Sequence, residues 1–364
     1  MRPGKRGNEM DLTIFNGKKV FLTGHTGFKG SWLAYVLQKL GANVVGYSLP
    51  PSTKPNHFKL LNLDISSNLA NICDLETLQK AINNSQPDVI FHLAAQPLVR
   101  YSYLNPVETF QTNILGTVNV LESARYCPSV RAIIVVTTDK CYENVEQIKG
   151  YVETDRMGGY DPYSSSKGCA ELVVSAYRNS FFNVSEYNKK HQTLLATVRA
   201  GNVIGGGDWS NDRLIPDLIR AAISEQITQI RYPMATRPWQ HVLEPIMGYL
   251  MLAEKLLRGE IEFAEPWNFG PEENQALTVG EVVQKAQKMW PKIKIQVDNQ
   301  NEHFHEAGLL SLNIHKAKSK LGWLPKWSNQ EAIEHTIEWY FSYYEQNILK
   351  TENQTDKYFA LWNL

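Results

Sequence analysis

Lys18-Lys19-Val20-Phe21-Leu22-Thr23-Gly24-His25-Thr26-Gly27-Phe28-Lys29-Gly30-Ser31-Trp32 is the stretch that decides the fold. An apolar run from Lys18 to Thr23 stops at a turn with glycine at every third position, and from Trp32 to Leu40 apolar residues recur at helical spacing. That pattern predicts strand, tight turn, helix. A diphosphate can approach backbone where side chains are absent, and the helix N-terminus then offers free N–H groups and a favourable dipole. A glycine turn alone serves strand–helix packing equally well, so its reading depends on the residues further along the chain. His25 and Lys29 lie on the same turn, where Lys29 either adds charge near phosphate or points to solvent.

Outward from this turn, Asn43–Ser48, Asp88–Leu93, Ala132–Thr137 and Thr193–Val198 read as further strands, and Pro106–Arg125 and Tyr163–Tyr177 as helices between them. Alternating strands and helices predict a parallel sheet covered on both faces, with ligands at the carboxyl ends of its strands. The fold class expected is therefore α/β: a Rossmann-type doubly wound parallel sheet with a smaller mixed α/β substrate lobe. The dinucleotide domain is expected over 12–200, with 240–260 packing back onto it, the lobe over 201–239 and 261–348, and a polar, frayed tail over 349–364. Asn183–His191 reads as an exposed insertion. The second strand ends at Tyr47-Ser48, with no acid for a ribose hydroxyl and no arginine for a 2′-phosphate, which leaves NAD and NADP open. Leu93-Ala94-Ala95 ends a strand with small residues, suited to backbone beneath a ribose or to close helix packing.

Lys+Arg and Asp+Glu both total 37, so no global field draws the chain to nucleic acid or acidic lipid. No apolar run approaches a bilayer span, and Met1–Asp11 is polar, unlike a signal peptide. Cys73, Cys127, Cys141 and Cys169 show neither metal spacing nor a disulfide framework, which suits a reducing cytoplasm. His303 and His305 lack a third ligand, so no metal is expected.

Tyr163 and Lys167 stand four apart at a helix start and share one face. A phenol with a pKa near ~10 is a poor base, but an ammonium and an oxidised nicotinamide nearby both favour the phenolate. Tyr163 then takes a hydroxyl proton as hydride leaves the same carbon. Thr138, at a strand's carboxyl end, offers a hydroxyl to the same substrate oxygen. Asp139 and Lys140 go beyond oxidation. Once a sugar C4 is a ketone, loss of the C6 hydroxyl needs a base at C5 and an acid at the departing oxygen. Asp139 suits the acid and Lys140 the base, although an ion pair orienting the loop fits them too.

These residues resemble the extended short-chain dehydrogenases and, within them, the nucleotide-sugar 4,6-dehydratases. Thr138-Asp139-Lys140 is similar to members acting on CDP-glucose, where those acting on dTDP-glucose typically carry Thr-Asp-Glu. Matching blocks include Gly24–Trp32, His92–Arg100, Arg199–Trp209, Arg237–Val242 and Trp267–Pro271, and the likeness spans roughly Phe15 to Tyr344. It implies tightly held NAD on Gly24, His25, Gly27, Phe28, Lys29, Gly30, Asn71, Ile72, Leu93, Ala94 and Ala95, with Tyr163 and Lys167. It implies CDP-glucose or a related nucleotide sugar near Gln96, with Asn202, Arg213 and Arg237 holding the diphosphate and Trp209 against the base. A helix-mediated homodimer or homotetramer is implied as well. One departure stands out: the pattern Asp-Ile-Arg-Asp, whose first acid meets adenine, appears here as Asn71-Ile72-Cys73-Asp74.

Overall fold

Seven parallel strands make the central sheet: β1 Lys19–Thr23, β2 Asn43–Ser48, β3 Ser66–Leu69, β4 Val89–His92, β5 Ala132–Val136, β6 Leu194–Arg199 and β7 Pro266–Asn268. Across the sheet they run β7-β6-β5-β4-β1-β2-β3. The direction of travel reverses between β1 and β4, and a crevice opens there at the carboxyl ends. The computed structural model describes residues 10–230, 232–272, 277–297 and 310–364. Met1–Glu9, His303 and His305 lie outside the described residues.

The principal helices are α1 Phe28–Lys39, α2 Leu75–Ser85, α3 Gly116–Arg125, α4 Pro162–Ser180, α5 Leu214–Ile223, α6 Leu243–Leu257, α7 Asn329–Gln346 and α8 Thr351–Ala360. Alternate strand residues point to opposite faces. Val20, Leu22, Phe91 and Ile134 join a core with α1 and α6, while Phe21, Ile90, Ile133 and Val135 join another with α2, α3 and α4. The sheet is thus buried on both sides, as all-parallel sheets are. Pro106–Phe110, a π-helical turn at Gln111–Leu115 and α3 follow one another directly, so the single helix expected over Pro106–Arg125 is interrupted by a wider turn. Among the described residues no helix is long and apolar enough to cross a membrane.

Beyond β6 smaller pairings build the lobe: Ile227–Ile230 beside Lys294–Val297 in parallel, and Thr236–Arg237 against Leu277–Thr278. Three expectations change. Polar, largely exposed β3 has no apolar alternation, which is why the sequence pattern misses it. β7 falls within 261–348 yet belongs to the sheet, because Trp267 is fully buried and its strand pairs with β6. The stretch 349–364 is not a frayed tail. Thr351, Gln354, Thr355, Tyr358 and Phe359 recur at helical spacing, and in α8 they form a buried face. Tyr358 donates to the buried Glu244 carboxylate of α6 at 2.5 Å.

Candidate active site

The glycine turn is closed by contacts specific to glycine. Gly24 sits at φ +78°, and a Cβ there would lie 2.7 Å from the Ala94 nitrogen. A Cβ on Gly30 would run into the Gly24 carbonyl oxygen. The tips of β1 and β4 are tied together beneath it: Thr23 Oγ1 accepts from the N–H groups of Leu93 and Ala94, both at 3.1 Å, and lies 2.8 Å from His92 Nδ1. Gly27 caps α1 without any side-chain hydrogen bond and is exposed, so the first N–H groups of that helix face outward uncapped. An exposed, uncapped helix start over a Cβ-free turn fits the diphosphate of NAD.

The rest of the expected cofactor set is less uniform. Phe28 and Lys29 are half-buried on the first turn of α1. The His25 ring is buried against Gly46, with Nε2 2.7 Å from Ser67 Oγ, and burial pulls it down to about 4. Its side chain therefore braces β2 and β3, and only its backbone stays on the turn. Asn71 Oδ1 accepts from Cys73 N at 2.9 Å, buried Ile72 packs on Gly116, and Asp74 caps α2 through Thr77. At the tip of β2, Ser48 and Thr26 hydroxyls meet at 2.8 Å, leaving no charged group at that tip.

Asp161 and Pro162 start α4 as N-cap and first helical residue; Asp161 accepts from Ser164 N at 2.9 Å. That start sets Tyr163 and Lys167 facing the end of β5, where Thr138 and Asp139 follow. The Lys167 ammonium donates to the Val136 carbonyl at 3.2 Å, and burial lowers it to about 8. The phenol does not behave as expected. Burial pushes Tyr163 up to about 12, opposed first by a hydrogen bond with Thr138 and then by the charge of Arg213. The Lys167 ammonium rests on a backbone carbonyl, and burial of the ring outweighs the groups that bring the phenol down.

Asp139 is 1 % exposed. Its Oδ1 accepts from the Thr138 hydroxyl at 2.8 Å and from Lys140 Nζ at 3.4 Å, and its Oδ2 is buried without a hydrogen-bond partner. A Cβ at position 201 would overlap that carboxyl group, so Asp139 would have to move to admit any other residue there. Asp139 is thus a buried carboxyl group that makes an ion pair with its half-exposed neighbour Lys140.

A cleft of about 990 Å³ opens beside these groups, and Thr138, Lys140, Tyr163, Asn202, Arg213 and Arg237 are among the residues that line it. That volume suits a nucleotide sugar. Arg213 pairs with Asp208 at 2.9 Å, and Arg100 with Asp212 at 3.2 Å. Two expected substrate residues stand elsewhere. Trp209 is 5 % exposed, packed edge to face among Trp339, Tyr340 and Tyr343, with its indole N–H on Tyr344, so it supports the loop instead of facing a base. Gln96 is turned inward: its amide donates to Thr109 and Leu98 and accepts from Leu98 N.

Sequence reading missed the support behind the site. Glu171 and Arg199 form a buried two-point ion pair at 2.8 and 2.9 Å, and Arg199 also donates to Tyr142, which donates to Asn268. This network fastens α4, β6 and β7 to the loop after Asp139. The signal was present: Glu171 follows Lys167 by four residues and so lies on the same helix face. Among the described residues no cluster could hold a metal ion.

The sequence profile of the family described as GDP-mannose 4,6 dehydratase matches residues 21–336. CDP-glucose 4,6-dehydratase of Salmonella typhimurium is 47 % identical over 333 residues, covering 91 % of this chain and 92 % of that one. The chain belongs to the CDP-glucose 4,6-dehydratase family. The human dTDP-D-glucose 4,6-dehydratase is a more distant relative, 26 % identical over 340 residues, with 89 % and 90 % covered. Among solved structures, an epimerase of Methanothermobacter thermautotrophicus superposes with a TM-score of 0.80 over 94 % of this chain and 98 % of its own, at 24 % identity. That last likeness concerns the fold alone, a scaffold the family shares with epimerases.

Proposed function

We propose that the chain is an NAD-dependent 4,6-dehydratase that converts CDP-glucose to CDP-4-keto-6-deoxyglucose. The single observation carrying the reading is Asp139: a carboxyl group buried at the end of β5, bonded to Thr138, beside Tyr163. An epimerase on this scaffold needs the tyrosine and lysine but no acid there. Family membership and the 47 % relative named for CDP-glucose support the choice of substrate.

Bound at the turn of Gly24, Gly27 and Gly30, NAD would accept hydride from C4 of the sugar and return it to C6, leaving no net redox change. Tyr163 takes the C4 hydroxyl proton while Thr138 holds that oxygen. Asp139, having taken the proton of its ion-paired neighbour Lys140, protonates the departing C6 hydroxyl while the neutral Lys140 takes the C5 proton, so that water leaves across C5 and C6; as hydride reaches C6, that proton returns to C5. Asn202, Arg213 and Arg237 hold the diphosphate; the Arg213 guanidinium would exchange the Asp208 carboxylate for phosphate oxygens. The lobe over the cleft keeps water from the bound reactants between steps.

The chain is further read as a cytoplasmic homo-oligomer. Leu104, Val107, Leu115 and Leu172 are 53 to 81 % exposed on neighbouring helices, an apolar face suited to a second copy. Incubation with NAD and CDP-, dTDP-, GDP- or UDP-hexoses, followed by mass spectrometry, tests the reading. The expected product is the CDP sugar lighter by one water; a product of unchanged mass identifies an epimerase and overturns it.

A further inference from the structure

Of the seven residues from Gly24 to Gly30, Lys29 is the one in the wall of the substrate cleft, alongside Arg213, Asn202 and Thr138. It is the second residue of α1, where a cation meets the unfavourable end of the helix dipole. The other cations around it are engaged: Arg213 on Asp208, Lys140 on Asp139, Lys167 on the Val136 carbonyl, Arg100 on Asp212. Lys29 interacts with Arg213, Lys167, Asp139 and Lys140 through charge only, with no hydrogen bond to any described residue. A half-buried ammonium in such company is placed for anions that arrive from outside.

Two would arrive. On the proposed function, one diphosphate docks on the uncapped start of α1 and the other against Arg213, with Lys29 belonging to both walls. We propose that Lys29 bridges the diphosphates of cofactor and sugar nucleotide, so that each ligand strengthens binding of the other. Two anions brought together in a half-buried cleft repel, but the first diphosphate orders the Lys29 side chain and the second finds it placed, which offsets that repulsion. Because coupling is reciprocal, it is measurable from either ligand.

Protonation reinforces the effect. Burial, then the charges of Arg213 and Lys167, hold Lys29 down to about 7, while Asp139 opposes them and Lys140 adds to them. The first diphosphate draws a proton onto Lys29, and the second finds it already charged. Above pH 7 this linkage adds to the coupling; well below, Lys29 is charged beforehand and only the ordering of its side chain remains.

The test is calorimetric titration of CDP into the full chain, with and without saturating NAD, for the wild type, Lys29→Arg and Lys29→Met. Expected is an affinity for CDP raised about tenfold by NAD in the wild type, within the usual range of coupling. Lys29→Arg should keep that coupling but lose its rise between about pH 6 and 8. Lys29→Met should reduce it to about twofold or less, with CDP affinity in the absence of NAD changed far less. Coupling intact in Lys29→Met, or equal weakening with and without NAD, overturns the proposal. If the wild type binds neither ligand, the proposed function fails with it, which separates the two failures.

Discussion

Asp139→Asn separates the two halves of the proposed reaction. The substitution keeps the shape of a side chain that is 1 % exposed, and the amide oxygen can still accept from Thr138 Oγ1, now 2.8 Å from Oδ1. Its new NH₂ takes the place of Oδ2, the oxygen that has no hydrogen-bond partner, so packing against Gly201 changes little. Removed is the ability to give a proton to the C6 oxygen. General acid catalysis contributes about 10²–10⁴-fold, or about 3–5 kcal/mol of barrier. Oxidation at C4 depends on Tyr163 and Thr138 and should slow only a few-fold. In a single-turnover experiment the near-ultraviolet absorbance of reduced nicotinamide should therefore rise at close to the normal rate, then persist because elimination has stalled. A 4-keto sugar that still carries its C6 hydroxyl should accumulate in step with it. If absorbance rises and falls as in the wild type, or both phases slow by the same factor, Asp139 is not the acid.

Gly24→Ala should weaken NAD binding and lower the melting temperature: the left-handed backbone alone costs about 1–2 kcal/mol, and the new Cβ presses on the Ala94 backbone. Calorimetry of NAD binding, with thermal denaturation of the same sample, measures both; an unchanged Kd refutes the turn's role. Acid should destabilise the protein from about pH 6.5 downward, because burial holds His57 and His92 near 3 and His25 near 4. The unfolded chain binds those protons first, so stability rises with pH across this window by up to about 1.4 kcal/mol per unit for each histidine. Glu244, held up to about 7 by burial, acts oppositely between its ordinary value and 7 and cancels part of one histidine's slope. Denaturant midpoints of His57→Gln against the wild type, from about pH 4 to 7, should show the slope reduced by one histidine; parallel curves contradict the assignment.

How much could be read beforehand depended on whether a residue's role is local. The glycine turn and the strands β1, β2, β4, β5 and β6 each follow from a few neighbouring residues, so spacing alone placed them within a residue or so. β3 is polar and short, and only pairing with β2 makes it a strand. Trp209 illustrates the other difficulty. Its sequence block marks a loop near substrate, but the partners that turn its ring inward, Trp339 to Tyr344, come more than a hundred residues later. Tyr358 and Glu244 are equally distant in sequence, and no window of residues announces their hydrogen bond.

The phenol of Tyr163 carries the same lesson into the chemistry. Spacing of four places the tyrosine and the lysine on one face of the helix, toward the end of β5. It cannot reveal that Lys167 would donate to Val136, nor that burial would outweigh the favourable groups and hold the phenol near 12. A base so strongly protonated in the free protein is inactive until more positive charge reaches the pocket. Two sources fit. Arg213 already lowers Tyr163, although its own charge is shared with Asp208, and an oxidised nicotinamide ring is cationic. Substrate diphosphate on Arg213 would blunt the first source, which leaves the second to bring the phenol toward neutrality. On this reading proton abstraction from a sugar would await oxidised cofactor, because burial of the ring holds the phenol up in the free protein.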